Sequence, residues 1–130
     1  MVNGMETVCL IEDDKITRKL FVLLLQRAGF HVEDFGDGNS ALIWLSSHPV
    51  DVVVSNIVLP EGISGIDVLT KVRHSSASAP PLVFALTSFV RRGEREQYLE
   101  MGFDGCIAKP IDPQTFAEDF RAMMMNTRKN

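Results

Sequence analysis

Polar side chains follow four short apolar runs of this sequence. They are Glu12, Asp13 and Asp14 after the first run, Asn56 after the third, Thr87 after the fourth and Lys109 after the fifth. Carboxylates, with carbonyl oxygens and water, are the ligands that Mg²⁺ takes in octahedral geometry. A lysine ammonium and a threonine hydroxyl suit the oxygens of a phosphoryl group. These residue types indicate a magnesium and phosphoryl site, provided that the fold brings them together.

The third apolar run shows how the fold could do so. Its residues 52–54 are three valines, and such a short, β-branched, unbroken run is typical of a strand buried on both faces. The run ends at Ser55 and Asn56, and Pro60, Gly62 and Gly65 then mark a loop. In an open α/β sheet, ligand sites lie where a buried strand opens into such a loop. Asn56 is therefore predicted at the centre of a site.

Strand and helix patterns alternate along the whole chain. Strands are predicted at 7–11, 31–35, 52–56, 82–86 and 103–108; helices are predicted at 16–28, from Asn39 or Ser40 to Pro49, at 66–74, at 91–101 and from Asp112 onwards. The alternation predicts an α/β domain with a parallel sheet and helices on both faces. Right-handed crossovers then give a doubly wound arrangement. All the strand-end side chains should share one edge of this sheet.

Length and composition limit the remaining possibilities. The 130 residues suit one domain, 1–130, with a core from about residue 7 to 125. A net charge of −4 argues against general nucleic-acid affinity. Cys9 and Cys106 lie in apolar surroundings and are predicted to be reduced and partly buried. No signal peptide or membrane-length apolar run is visible, which predicts a cytoplasmic protein without a membrane partner.

The strand-end motifs resemble those of two-component response-regulator receiver domains. The matching segments are Ile11-Glu12-Asp13-Asp14, Leu59-Pro60 followed by Ser64-Gly65, Leu86-Thr87-Ser88 and Lys109-Pro110. Each motif alone is weak, but four in this order, each at a strand end, are specific. The resemblance covers nearly the whole chain. It implies a flavodoxin-like doubly wound sheet of five parallel strands, in the order 2-1-3-4-5, flanked by five helices.

The resemblance also implies a role for each matching residue. Glu12 and Asp13 would be the acidic pair that helps to hold Mg²⁺, and the backbone carbonyl of Val58 would be a further metal ligand. Thr87 would be the switch hydroxyl that moves towards the phosphoryl group. Lys109 would pair with that group and be followed by a cis peptide bond to the next proline.

Two positions depart from the receiver pattern. Asn56 stands where the family has its phosphoacceptor aspartate, and a neutral amide is a poor nucleophile, so aspartyl-phosphate chemistry should be absent. The amide also removes an anionic ligand, so Mg²⁺ should bind more weakly. Cys106 stands where the family often has an aromatic ring that rotates inward on activation, and a thiol is too small for that movement. The loop between Pro60 and Ser64 is also one residue longer than usual.

These departures leave three hypotheses open. The first is a natural receiver that acts as a protein–protein interaction module without phosphorylation. The second is an ordinary phosphorylatable receiver in which Asn56 was engineered from Asp. The third, a magnesium-dependent phosphotransfer enzyme for small molecules, lacks an evident nucleophile, and the chain is predicted not to be an enzyme. The implied partners are a histidine kinase or phosphotransfer protein and a downstream output protein or domain, with no direct nucleic-acid contact.

Some of these side chains also have simpler interpretations. The acidic triplet could cap the first helix, where the helix dipole favours anions, and Asp14 in particular is expected to be only a cap. Arg91, Arg92 and Arg95 are predicted to form a solvated face of the fourth helix, with a partner-docking patch as the alternative. The sequence leaves open the oligomeric state and whether the receiver stands alone or belongs to a longer protein.

Overall fold

A computed structural model of the chain describes residues 5–75, 79–88 and 91–129. Its strands are β1 (Thr7–Ile11), β2 (His31–Phe35), β3 (Val52–Asn56), β4 (Leu82–Thr87) and β5 (Gly105–Ala108); its helices are α1 (Lys15–Arg27), α2 (Gly38–Leu45), α3 (Gly65–Arg73), α4 (Glu94–Met101) and α5 (Phe116–Lys129). The strands are parallel and ordered β2-β1-β3-β4-β5, which confirms the predicted fold. Within the described ranges, no helix is long and apolar enough to cross a membrane.

The sheet separates two apolar layers because successive strand side chains point to opposite faces. In β3, Val52 and Val54 join the layer formed with α1 and α5, whereas Val53 joins the layer formed with α2 and α3. All five residues of β3 are buried, as the unbroken valine run predicts. Phe116, Phe120 and Met124 of α5 are all buried in the first of these layers. This two-sided burial fixes β3 at the centre of the sheet.

The register of the strands brings their carboxyl ends together. Ile11 pairs with Ser55, so Glu12 and Asn56 each lie one residue beyond that pair. Asn56 in turn pairs with Leu86, and Thr87 pairs with Ala108. A single edge of the sheet therefore carries the polar ends of all three central strands and of β5.

Short-range hydrogen bonds fix the helix starts beside this edge. The Asp14 carboxylate accepts from the backbone and hydroxyl of Thr17 and caps α1, as predicted, and these bonds lower the pKa of Asp14. Ser64 and Asp67 form a reciprocal capping box at α3. The α2 start predicted at Asn39 or Ser40 is wrong: the helix begins at Gly38, because the Asp37 carboxylate caps it and accepts from the backbone of Ser40.

Both C-terminal helices differ from their predicted bounds. Helix α4 begins at Glu94 and not at residue 91, because Gly93 has a left-handed conformation (φ 84°) that interrupts the helix. Arg91 therefore precedes α4 and does not form part of the helix face predicted for it. Helix α5 begins at Phe116 after a turn closed on the carbonyl of Asp112, and it continues to Lys129, beyond the core limit of about residue 125 that the sequence predicts.

Gly65 is required by the close approach of α3 to β3. A Cβ atom at this position would lie 2.0 Å from the backbone oxygen of Asn56. We expect Gly65→Ala to lower the free energy of unfolding by about 3 kcal/mol, because the backbone at the tip of β3 must shift. Urea denaturation measures the loss. Gly93→Ala is the control, since its Cβ meets nothing within 4 Å and only its positive φ is strained. Equal losses in both variants would contradict the explanation by steric overlap.

Cys9 is a buried thiol in β1, and burial raises its pKa to about 12. Its folded pKa exceeds its usual value of 9.0, so the native state retains this proton to higher pH than the unfolded state. The contribution of Cys9 to stability is therefore complete below about pH 9 and is lost as the pH rises towards 12. We expect Cys9 to resist iodoacetamide at pH 8 in the native protein and to react after denaturation, as peptide mass spectrometry would show. Rapid native labelling of Cys9 would contradict its buried position.

Candidate functional site

A cleft of about 320 Å³ opens at the carboxyl edge of the sheet. The sequence-predicted residues lie together there: Glu12, Asp13, Asn56, Val58, Thr87 and Lys109 all line it. Asp14, Ile57, Leu86, Ser88, Glu94 and Tyr98 complete the lining. Since β3, β4 and the residues directly after β1 and β5 supply part of this lining, the sheet register sets the geometry of the cleft.

The side-chain amide of Asn56 lies at the bottom of the cleft and is 4% exposed. Its Nδ2 donates to Glu12 Oε2 at 2.7 Å and to Asp13 Oδ1 at 2.8 Å. Its Oδ1 accepts a hydrogen bond from Lys109 Nζ at 3.1 Å. The amide thus joins both acids to the lysine.

The charges around Asn56 fix the orientation of this amide. Exchanging its oxygen and nitrogen would turn a carbonyl oxygen towards the carboxylates of Glu12 and Asp13 and an NH₂ group towards the Lys109 ammonium. Both contacts would then be repulsive, because a carboxylate only accepts hydrogen bonds and an ammonium only donates them. The donor side of the amide therefore faces the acids.

Glu12 is the most enclosed charge of the cleft, with a side chain only 1% exposed. Its carboxylate accepts from Asn56 Nδ2, from the backbone of Asp14 at 2.9 Å and from Lys109 Nζ at 3.0 Å. Lys109, 20% exposed, reaches the cleft from the end of β5, and its bond to Pro110 is cis, as predicted. A buried carboxylate needs such partners to offset its desolvation.

The residues present do not fit a magnesium ion in this arrangement. Mg²⁺ requires oxygen ligands, but the Asn56 amide presents nitrogen-bound hydrogens to the oxygens of Glu12 and Asp13 that would face the ion. No buried side-chain polar atom in the described part of the chain lacks a partner. The described residues also contain no group of three or more His, Cys, Asp or Glu placed to hold a metal. The buried polar groups of the cleft therefore bind one another through hydrogen bonds.

The other predicted residues surround this network. Thr87 is half-buried at the end of β4, and its backbone oxygen accepts from the Lys109 amide at 2.8 Å. Val58 also lines the cleft and is 77% exposed. Cys106 is buried in β5 and does not line the cleft, so no aromatic ring enters from that strand position.

Arg18 supports the cleft from outside and is missed by sequence reasoning. Its Nη1 donates to the backbone oxygen of Glu12 at 2.9 Å, and its Nε lies 3.1 Å from Asp34 Oδ2 at the end of β2. Gly36 leaves the room for this guanidinium, since a Cβ there would lie 2.6 Å from Arg18 Nη1. An arginine on a helix surface carries no sequence signal that distinguishes it from a solvated one.

The fold and the cleft define a doubly wound α/β domain with an acid-and-lysine site at its carboxyl edge. The response regulator receiver domain family matches residues 8–121. The chain belongs to this family, whose members work in two-component signalling and are generally not enzymes.

Individual response regulators are similar to this chain in sequence or in fold. The polar-differentiation response regulator DivK of Brucella anthropi is 28% identical over 119 residues, which are 92% of this chain and 96% of DivK. The chemotaxis response regulator CheY4 of Vibrio cholerae is 25% identical, with a TM-score of 0.83, and the match covers 92% of this chain and 99% of CheY4. A CheY-like receiver domain protein of Methanospirillum hungatei is 18% identical over 97% of this chain and 98% of its own, and its TM-score of 0.80 shows the fold alone.

Proposed function

We propose that this receiver domain is a protein–protein interaction module that accepts no phosphoryl group, because Asn56 occupies the phosphoacceptor position. The observation that carries the proposal is the hydrogen-bonding of the Asn56 amide to Glu12, Asp13 and Lys109. An acceptor must present a charged oxygen with a free lone pair to phosphorus. The amide oxygen of Asn56 is neutral and already bound by the lysine.

The proposed roles of the other residues follow from what they contact. Lys109 would pair with phosphoryl oxygens in a phosphorylatable relative, but here it holds Glu12 and the amide. Thr87, beside it on the rim, is proposed as the switch hydroxyl. Glu12, Asp13 and the Val58 carbonyl are proposed as the positions that hold Mg²⁺ in a relative with aspartate at position 56, whereas in this chain the Asn56 amide occupies both acids.

Partner binding then depends on the conformation of the cleft and not on its phosphorylation. The implied partners are a histidine kinase or phosphotransfer protein on one side and an output protein or domain on the other, as for the family. Neither nucleic acid nor membrane is proposed as a direct partner, and the proposed location is the cytoplasm.

Acetyl phosphate tests the central claim. We expect the intact mass of the protein to stay unchanged after incubation with acetyl phosphate and Mg²⁺, because the Asn56 amide is a poor nucleophile. The Asn56→Asp variant is expected to gain one phosphoryl group under the same conditions, since Glu12, Asp13, Thr87 and Lys109 are already in place.

Two outcomes would contradict the proposal in different ways. A phosphoryl group on the parent protein would show that the amide does not block the chemistry. Absence of label on Asn56→Asp would show that the cleft has lost more than one group. The double variant Asn56→Asp/Lys109→Met is the matched control, and it should label at least about 10²-fold more slowly, since it lacks the positioned cation.

The alternative is an ordinary phosphorylatable receiver whose aspartate was replaced on purpose. The arrangement of Glu12, Asp13, Thr87 and Lys109 around position 56 favours this reading, because a single substitution would complete the site. Cys106 favours a natural departure instead, since the aromatic position of β5 is also changed. The codon for residue 56 in the source gene decides between the two.

A further inference from the structure

A groove of about 280 Å³ lies between the C-terminal ends of α2 and α3, at the amino edge of the sheet and opposite the Asn56 cleft. We call it the α2–α3 groove. Six apolar side chains line it: Leu42, Leu45, Pro49, Val50, Val72 and Pro81. Its volume is just below the roughly 300 to 1,000 Å³ of ordinary ligand pockets, so the groove suits a molecule smaller than a drug.

Contacts on both sides hold the walls of this groove in place. Arg73 Nη1 donates to the backbone oxygen of Pro81 at 3.0 Å. On the other wall, the His48 ring stacks on Trp44 with centroids 4.4 Å apart, and its Nδ1 lies 2.9 Å from the Trp44 carbonyl oxygen. Val72 of the apolar lining is buried. The groove is therefore formed before any ligand binds, which lowers the entropy cost of binding.

The charge along the groove is positive. Among the described residues that line it, Lys71 and His48 can carry a charge and none is acidic. Lys71 is exposed and enters no ion pair in the described part of the chain, whereas Arg73, two residues later, is paired with Asp104 at 2.7 Å. A lysine packs its aliphatic stem along apolar surface and keeps its ammonium at the rim. Such a rim favours a ligand with one anionic end and an apolar body.

We propose that the α2–α3 groove is a binding site for medium-chain aliphatic carboxylates, with the chain against the apolar lining and the carboxylate at Lys71. The chain and the lining both lose apolar surface to water on binding, which drives association. One ammonium matches a singly charged carboxylate, whereas a phosphate group calls for more donors than this ammonium supplies. The site lies at the opposite edge of the sheet from Asn56, so its occupation needs no phosphoryl chemistry.

Titration with octanoate, followed by methyl NMR, tests the site. We expect a Kd of about 0.1 to 1 mM, as suits so small a ligand. The largest shifts should lie at the methyl groups of Leu42, Leu45, Val50 and Val72, which line the groove. Octylammonium has the same chain with the opposite charge, and it should bind at least about tenfold more weakly because Lys71 repels it.

Two lysine variants separate a local contact from net charge. Lys71→Met removes the ammonium, keeps most of the stem and should weaken octanoate binding about fivefold. Lys19→Met is the matched control, since Lys19 is an exposed lysine of α1, on the other face of the sheet. It removes the same charge from the protein and should bind octanoate as the parent does.

Several results would overturn the proposal. They are the absence of saturable shifts up to about 10 mM octanoate, shifts centred away from the groove, octylammonium binding as tight as octanoate, and equal loss of affinity in the two lysine variants. Shifts of the groove methyl groups on raising the protein concentration without ligand would also overturn it, because a second copy of the chain would then cover the groove.

Discussion

Asn56→Asp is expected to lower the free energy of unfolding by about 2 kcal/mol when divalent cations are absent, because the amide's hydrogen bonds to two charged groups are lost. The new carboxylate would also lie within contact distance of Glu12 and Asp13, where the amide nitrogen now lies 2.7 and 2.8 Å from their oxygens. The new charged contact to Lys109 offsets part of this loss.

Mg²⁺ should reverse this effect in the variant and leave the parent unchanged. A free ion concentration about 100 times its dissociation constant adds about 2.7 kcal/mol to the stability of the state that binds it. The parent gains little, because its acids are already joined by the amide. Urea denaturation of both proteins with EDTA and with Mg²⁺ measures the difference. Equal stabilisation of both by Mg²⁺ would show that the amide does not compete with the ion, and Ca²⁺ serves as a second cation of the same charge.

The sequence predicts the sheet well because the signal there is strong and local. The three valines of residues 52–54 can be satisfied only by burial on both faces, and the structure places them so. The polar residue that ends each run then lies on the common edge, since parallel register leaves no other place for it. The grouping of Glu12, Asn56 and Lys109 is therefore a consequence of the strand pattern.

The sequence does not predict how the polar groups divide their hydrogen bonds. The pattern places an amide near two acids and a lysine, but the donor side of Asn56 faces the acids only because of charges that follow two other strands, β1 and β5. The weak burial of α4 is likewise hidden, since none of its residues is fully buried and its start depends on the left-handed conformation of Gly93. Both features depend on tertiary contacts.

The amide gives the cleft a different electrostatic state from that of a receiver with aspartate. With a carboxylate at position 56, three acids would face one lysine, and a cation would be needed to balance them. With Asn56, the two NH groups bridge Glu12 and Asp13 while the carbonyl meets Lys109. Asn56 therefore removes the nucleophile and also much of the need for a metal ion to balance the acids. This one residue explains both the expected loss of phosphorylation and the expected weakening of Mg²⁺ binding.

Lys109→Met is expected to lower the free energy of unfolding by about 3 to 5 kcal/mol, which is more than Asn56→Asp does. The reason is that it leaves a buried carboxylate without its ion-pair partner. The Glu12 side chain is 1% exposed, and Lys109 Nζ lies 3.0 Å from its Oε1. Methionine retains most of the length of the lysine side chain, so the loss reports the ammonium and not a cavity. Chemical denaturation at neutral pH measures the effect.

Two controls assign this loss to the buried pair. Arg128→Met removes the partner of Glu6 in an exposed pair, 2.8 Å apart and 46% and 42% exposed, and should cost less than about 1 kcal/mol. Glu12→Gln combined with Lys109→Met removes both charges and should recover at least half of the loss, because no unpaired ion remains. If the double variant is as unstable as Lys109→Met, the cost lies in packing around the lysine, and the ion pair is not what holds β1 to β5 across the cleft.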